Sequence, residues 1–311
     1  MSAAGKDRRV GVLLGGLSAE REVSLDSGGR MAAALRGRGH VVVEIDPGRD
    51  AAQQVRDAGV DVVVVGLHGT YGEDGCVQGL LEVMGVPYTG SPPIASAVAF
   101  DKVLTKRIAA QAGVPTPEFE VLAPGAPTPQ FGVPVVVKPA AEGSSVGVTI
   151  VHDEADVDGA VRSAAACGDG RVLLERFIDG VEVTVGVLDG EAMGTVEIRP
   201  FEGFYDYEAK YERDDTRYVV PAELAGDGVQ RVRRWAEQVH ELLGCAGATR
   251  VDFMVDQAGD PWFIEVNTLP GMTDHSLLPM AAAEVGMDFA DLVEAILDRA
   301  ALHHRAAEVA A

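Results

Sequence analysis

Cysteine is scarce in this chain, and cationic charge is short. Three cysteines, Cys76, Cys167 and Cys245, are spread over 311 residues, odd in number and far apart. That matches neither a disulfide framework nor a zinc site, and suits small core residues or idle thiols. Lys and Arg number 26 against 48 Asp and Glu, a formal net charge of −22. A basic stripe able to track a phosphodiester backbone is hard to assemble from that balance, so nucleic acid is excluded as a partner. An anionic membrane surface is disfavoured for the same reason. Long apolar runs are missing too. The longest, residues 62–67, is far too short to span a bilayer, and the polar start leads into a strand with no signal-peptide core. The expected location is the cytoplasm.

Several catalytic signatures are also absent. Neither G-x-x-x-x-G-K-[ST] nor G-x-G-x-x-G follows a strand, H-E-x-x-H does not occur, and the G-x-S-x-G match at Gly143–Gly147 lies between two expected strands instead of on a strand-to-helix turn. Dinucleotide-binding, zinc-peptidase and serine-hydrolase readings lose their support. An acidic chain can still bind a polyphosphate if metal ions and a few placed lysines reverse the field locally.

What is present is an α/β and α+β pattern, with a length that suits about two domains. In the first hundred residues, apolar runs at 10–14, 41–45 and 62–67 alternate with helical stretches. Ser24 is the expected cap of the first helix. Continuous β-branched runs between helices imply a doubly wound parallel sheet, with ligands beyond the strand C-termini. A helix follows from Lys102, then a proline-rich connector. Strands are expected at 135–138, 148–151, 172–177 and 182–187, with a helix over 154–166. After a charged aromatic stretch at 201–218, a helix at 229–243 precedes a hairpin of strands 249–255 and 262–267. A last helix is capped by Asp288. The expected lobes are 1–101, 102–187 and 188–311.

Two features carry candidate chemistry. On the hairpin, Arg250 and Asp252 share one parity, as do Glu265 and Asn267 on the partner strand. If the register cooperates, two carboxylates, an amide and a guanidinium converge, with Val251, Phe253, Ile264 and Val266 beneath as core. Oxygen ligands of that kind suit Mg²⁺; a solvated strand face fits the pattern equally. The second feature is Lys138 with the Gly/Ser run at 142–147, placed between two strands. Such a loop can fold over phosphates with its N–H groups, or serve only as a turn. Glu175 and Glu182 end and begin adjacent strands, where they can meet an adenosine or simply solvent.

Taken together, several segments closely resemble the D-alanine–D-alanine ligases of the ATP-grasp superfamily. They are Leu13-Leu14-Gly15-Gly16-Leu17-Ser18-Ala19-Glu20, Leu67-His68-Gly69, Gly72-Glu73-Asp74-Gly75, Lys138-Pro139 with the Gly/Ser run, Phe204-Tyr205-Asp206-Tyr207-Glu208-Ala209-Lys210-Tyr211, and Glu265-Val266-Asn267-Thr268-Leu269-Pro270-Gly271. The likeness keeps its order over residues 10–299.

That resemblance implies an ATP-grasp fold and ATP-dependent joining of two D-alanine molecules for peptidoglycan synthesis. An acyl phosphate forms, and ADP and phosphate are released. It places Glu20 on the ammonium of the first D-alanine with His68 nearby, and Ser144 at the reacting centre. Lys102, Lys138 and Lys210 meet ATP phosphates, while Glu175 and Glu182 meet the adenosine. Asp252, Glu265 and Asn267 hold two Mg²⁺ ions, for which Mn²⁺ can substitute. Arg250 and the Gly271 N–H face the oxyanion, and Ser276 and Leu277 the second carboxylate. The stretch at 201–218 becomes a lid, with Tyr211 closing towards Ser144 and Glu20. A homodimer is expected. Leu269 and Asp274 depart from many relatives, and Asp274 adds a charge beside the second-substrate site. The alternatives are a ligase with another acceptor, such as D-lactate, and a nucleotide-binding regulator without turnover.

Overall fold

A computed structural model describes residues 8–122, 132–200 and 216–304. Lys210, Tyr211 and most of the expected lid lie outside the described residues. The first three apolar runs form β1 (Arg9–Leu13), β2 (Val41–Ile45) and β3 (Val62–Val65), all parallel in the order β2-β1-β3. Strand parity splits their side chains between two cores. Val10, Val12, Val62 and Val64 pack on α1 (Arg21–Gly37) and on α9 (Phe289–Leu297), the last helix. Leu13, Val63 and Val65 pack on α2 (Ala51–Ala58) and α3 (Cys76–Met84). Burial on both faces explains the uninterrupted valine runs.

Ser24 is not the cap of α1. The helix begins three residues earlier, and the Ser24 hydroxyl lies inside it, where Gly15 N–H donates to it at 2.9 Å. The hydroxyl in turn donates to the Gly66 carbonyl at 2.7 Å. It therefore ties the ends of β1 and β3 together under the helix. At Gly28 the helix comes so close to β1 that a Cβ would stand 2.4 Å from Leu14 Cβ.

The chain continues through α4 (Pro93–Phe100) and α5 (Lys102–Gln111), whose first turn is capped by Asp101 accepting from Leu104 N–H. Strands β4 (Phe119–Leu122), β5 (Val135–Pro139), β6 (Thr149–Val151) and β7 (Val172–Arg176) form an antiparallel sheet ordered β4-β7-β5-β6. Helix α6 (Glu154–Ala165) covers one face of it through Val157, Ala160 and Ala164.

A second antiparallel sheet has the order β10-β9-β8-β11-β12. Its strands are β8 (Gly180–Leu188), β9 (Glu191–Arg199), β10 (Arg217–Val219), β11 (Ala248–Asp256) and β12 (Pro261–Asn267). Helix α7 (Gly228–Leu242), with α4 and α5, buries Val183, Val185, Val251 and Phe253 on one face. Helix α8 (Leu277–Glu284) packs so tightly on β9 that a Cβ at Gly194 would lie 2.2 Å from the Ala281 carbonyl.

The lobe boundary expected after residue 187 falls inside β8. That strand pairs along its length with β11, so the sheets change over between Arg176 and Gly180 instead. Helices α3, α4 and α8 and strand β9 have no counterpart in the sequence pattern; in α3 and α4 the exposed apolar residues Val83 and Ile94 blur the periodicity that would mark a buried face.

Candidate active site

Parity opens a cleft between the two antiparallel sheets. On β5, Val135 and Val137 face α6, which turns Val136 and Lys138 the other way; on β7, Glu175 shares the cleft side. Across the gap stand Glu182 of β8, Asp252 and Met254 of β11, and Glu265 of β12. The resulting cleft is about 860 Å³, and the Gly/Ser segment borders it through Glu142, Ser145 and Val146.

In the hairpin register, Arg250 lies opposite Asn267 and Asp252 opposite Glu265, so all four side chains share one face. A β-bulge follows directly, with Phe253 pairing with Phe263 and Ile264 left as the extra residue. Ile264 is therefore not a core residue. The bulge turns it into the cleft beside Glu265, and Phe263 takes the core position on Phe253.

Charges inside the cleft are closely paired. Arg250 grips Asp252 with two donors, Nε to Oδ1 at 2.9 Å and Nη2 to Oδ2 at 2.8 Å, and Thr184 donates to Asp252 as well. Lys102 Nζ sits 3.3 Å from Glu265 Oε2 and donates to the Glu142 carbonyl at 2.5 Å. Glu175 is buried between two ammonium groups, Lys106 at 2.6 Å and Lys138 at 2.5 Å. Burial opposes its ionisation, but the two lysines prevail and hold its carboxyl below the usual range. Its Oε1 is buried without a hydrogen bond, since Lys106 faces it as an ion pair only.

A second cavity, about 660 Å³, adjoins the cleft and shares Glu265 with it. It gathers Glu20, His68, Ser144, Arg250, Asn267, Gly271, Ser276 and Leu277. Glu20 stands at the start of α1, and Ser144 donates its hydroxyl to the Glu20 carboxylate. Ser144 and Ser145 both adopt left-handed backbone, φ 50° and 58°, which costs on the order of 1 kcal/mol each and curls the loop over Glu20. A Cβ at Gly143 would meet Glu20 Oε2 at 2.7 Å, so a larger residue there would push the Glu20 carboxylate aside.

His68 is buried behind the cavity wall. Its Nδ1 faces the Leu269 carbonyl at 3.1 Å and Nε2 faces Ser27 Oγ at 3.1 Å; Ser27 also accepts from Met272 N–H. A carbonyl partner makes Nδ1 the donor and leaves Nε2 to accept. Burial pushes the imidazole down to about 4, so the ring is neutral at physiological pH. Ser276 precedes α8 and accepts from Thr273 N–H at 2.8 Å, leaving the helix N–H groups of residues from Leu277 onward open to an anion. The charge of Asp274 is answered by Arg30 of α1, which donates to it.

Two buried charged residues next to the cleft and cavity have no role in the sequence pattern. Glu73 lies in the cavity wall, where Gly69 N–H donates to Oε2 at 2.7 Å. Burial, reinforced by the charge of Glu20, pushes its carboxyl up to about 8. Lys106 is the other. Its signal is the four-residue spacing from Lys102, which sets both on neighbouring turns of one helix face.

Among the described residues, no three His, Cys, Asp or Glu side chains cluster as metal ligands. The hairpin set consists instead of two carboxylates and one amide. Its donors are hard oxygens, so the set fits Mg²⁺ better than a softer metal.

Models for the N-terminal and C-terminal parts of D-ala D-ala ligases match residues 42–91 and 108–298. The chain belongs to the D-alanine–D-alanine ligase family. A D-alanine--D-alanine ligase from an Anaeromyxobacter species is 50% identical over 301 residues, covering 95% of this chain and 97% of the relative. One from Syntrophotalea carbinolica is 48% identical, covering 96% and 97%. Among solved structures, the Bacillus anthracis ligase superposes with a TM-score of 0.83 at 36% identity, covering 94% and 97%. The same bacterium's ligase complexed with ATP gives 0.81 at 32% identity, with the same coverage. The fold is accordingly that of the ATP-grasp ligases, a parallel-sheet unit followed by two antiparallel sheets around a cleft. No helix among the described residues is long and apolar enough to cross a membrane.

Proposed function

We infer that this chain joins two D-alanine molecules at the expense of ATP, releasing ADP and phosphate. The observation that carries this reading is the shared wall: Glu265, with Lys102 beside it, borders both the cleft and the polar cavity. A phosphate end and an amino-acid end therefore meet at one point.

ATP lies in the cleft. Glu175 accepts from the adenine amine through its carboxylate, and Glu182 takes the ribose hydroxyls. Lys138 and Lys102 balance the phosphates, and the Gly/Ser loop closes over them. Lys210, beyond the described residues, adds a further cation. Asp252, Glu265 and Asn267 hold Mg²⁺, two ions for which Mn²⁺ can substitute, which neutralises phosphate charge during transfer.

The first D-alanine enters the cavity with its ammonium on Glu20 and its carboxylate towards the cleft. Phosphorylation turns a poor electrophile into an acyl phosphate. The second D-alanine places its carboxylate at Ser276 and Leu277, and its amine attacks the activated carbonyl. Arg250 and the Gly271 N–H then face the developing oxyanion. Neutral His68 contributes no charge; its bonds to Leu269 and Ser27 fix the strap that carries Gly271. Tyr211 closes the lid towards Ser144 and Glu20, which keeps water from the acyl phosphate.

The reaction places the protein in the cytoplasm, where it supplies peptidoglycan precursors. We also assign three lobes, 1–101, 102–179 and 180–311, and a homodimer. Exposed Val83 and Ile94 on neighbouring helices support an apolar contact between copies, and sedimentation equilibrium tests it.

ADP release measured with ATP, Mg²⁺ and D-alanine alone, with the dipeptide identified by mass, tests the reaction. Absence of D-alanine-dependent release sinks it. D-lactate as acceptor is the weaker alternative, since the similar proteins are named D-alanine--D-alanine ligases. Adding D-lactate should not divert the product.

A further inference from the structure

Lys106 has no exposed surface, yet it carries a charge at the meeting point of three elements. Its ammonium donates to Thr116 Oγ1 at 2.7 Å and to the Phe263 carbonyl at 3.2 Å, and lies 2.6 Å from Glu175 Oε1. Thr116 also donates to the Phe263 carbonyl at 2.9 Å, which holds the receiving oxygens in place. The Phe263 ring lies under the ammonium, with its centroid 5.9 Å away. Two oxygens thus accept from the ammonium and the Glu175 carboxylate faces it as an ion pair, and the charge stands behind the cleft rather than in it.

The residue on which it acts is Glu175. A buried carboxylate with Lys138 as its sole partner forms a closed neutral pair, in which Lys138 is spent. With Lys106 present, two cations share one anion, and the group carries a net positive charge next to the place where phosphates bind. A second cation also keeps Glu175 ionised and therefore purely an acceptor. An ionised carboxylate welcomes a base with an amine at its edge and repels one with a carbonyl there.

We propose that Lys106 is a positioning residue for nucleotide binding, sharing Glu175 so that Lys138 stays available to phosphate and Glu175 stays an acceptor for the base. This rests on the ligase function inferred above and deepens it. Lys106 touches no substrate, and acts only through Glu175.

The test is a double-mutant cycle of Lys106→Met and Glu175→Gln, read by KM for each substrate and by ATP against inosine triphosphate as phosphate donor. Lys106→Met is expected to raise KM for ATP about tenfold and to narrow the preference for ATP over inosine triphosphate. KM for D-alanine should stay within about twofold, and in the Glu175→Gln background the same change should add less than about twofold. Lys106→Gln, which keeps a donor for Thr116 and Phe263 but no charge, should match Lys106→Met and replaces it in the cycle if Lys106→Met does not fold. An unmoved KM for ATP in a folded variant, an equal rise for D-alanine, or full additivity in the cycle overturns the proposal and leaves Lys106 as a strut. Wild-type turnover separates the two levels. If the unaltered protein shows no D-alanine-dependent ADP release, the ligase reading has failed instead.

Discussion

In the cleft between the two antiparallel sheets, the polar groups ride on strands: Lys138 on β5, Glu175 on β7, Glu182 on β8, Asp252 on β11 and Glu265 on β12. In the adjoining cavity they mostly stand where regular structure stops. Glu20 precedes α1, His68 follows β3, Ser144 sits on a left-handed loop, and Ser276 precedes α8. A strand fixes a side chain through its neighbours' hydrogen bonds, so the cleft inherits the rigidity of two sheets. A loop is held by side-chain bonds such as Ser144 to Glu20 and Ser27 to His68. On the proposed assignment, the part that would grip a polyphosphate is built stiffly, and the part that would admit, join and release two small amino acids is built from adjustable pieces.

The contrast can be broken most sharply at Arg250, which reaches the cavity from a strand. Arg250→Ala should lower kcat about 10²- to 10³-fold in steady-state assays, as loss of an oxyanion donor does. Glu265 belongs to both regions. Glu265→Gln should cost about 10²-fold in Mg²⁺-dependent turnover, while a thermal melt stays close to that of the parent; an equal collapse of stability would make the hairpin face structural. Glu182→Ala confines the damage to the cleft, with KM for ATP rising about tenfold and KM for D-alanine unchanged.

Glu73 gives the smallest expected effect, and it is one of pH. Its folded carboxyl titrates near 8, above the usual carboxylate value of 4.5. Between those values the folded state keeps a proton that the unfolded state has lost, so this group's contribution to stability falls as pH rises and levels off above about 8. Glu73→Gln should remove that decline, shifting the melting temperature by a few degrees more at pH 9 than at pH 5 relative to the parent. Melts of both proteins across that range check it; parallel curves would mean that Glu73 is ionised in the folded protein.

The same contrast explains what could be seen in the sequence. Period-two alternation placed Arg250, Asp252, Glu265 and Asn267 on one face, and the register agrees. It failed one residue further on, because a bulge breaks parity and no local signal announces that Ile264 is the extra residue. Ser24 looked like a cap by composition, whereas its hydroxyl is used between strand ends that lie far apart in sequence. The cavity residues came from resemblance to a family, not from periodicity, since loop ends leave no period to read. Glu73 and Lys106 escaped because a buried charge looks in sequence like any surface acid or base, and only the surrounding fold shows its burial.

Tyr88 and Ala301 exchange backbone hydrogen bonds, Tyr88 N–H to the Ala301 carbonyl at 3.2 Å and Ala301 N–H to Tyr88 at 3.0 Å. Together with α9 lying on α1, this closes the first sheet with residues more than two hundred positions further along the chain. The valines of β1 and β3 are thus made early and covered late. During synthesis the part of their cover that α9 supplies is missing until another two hundred or so residues have been added, about 10–40 seconds at ordinary elongation rates. A nascent chain therefore carries a half-covered apolar sheet throughout that interval.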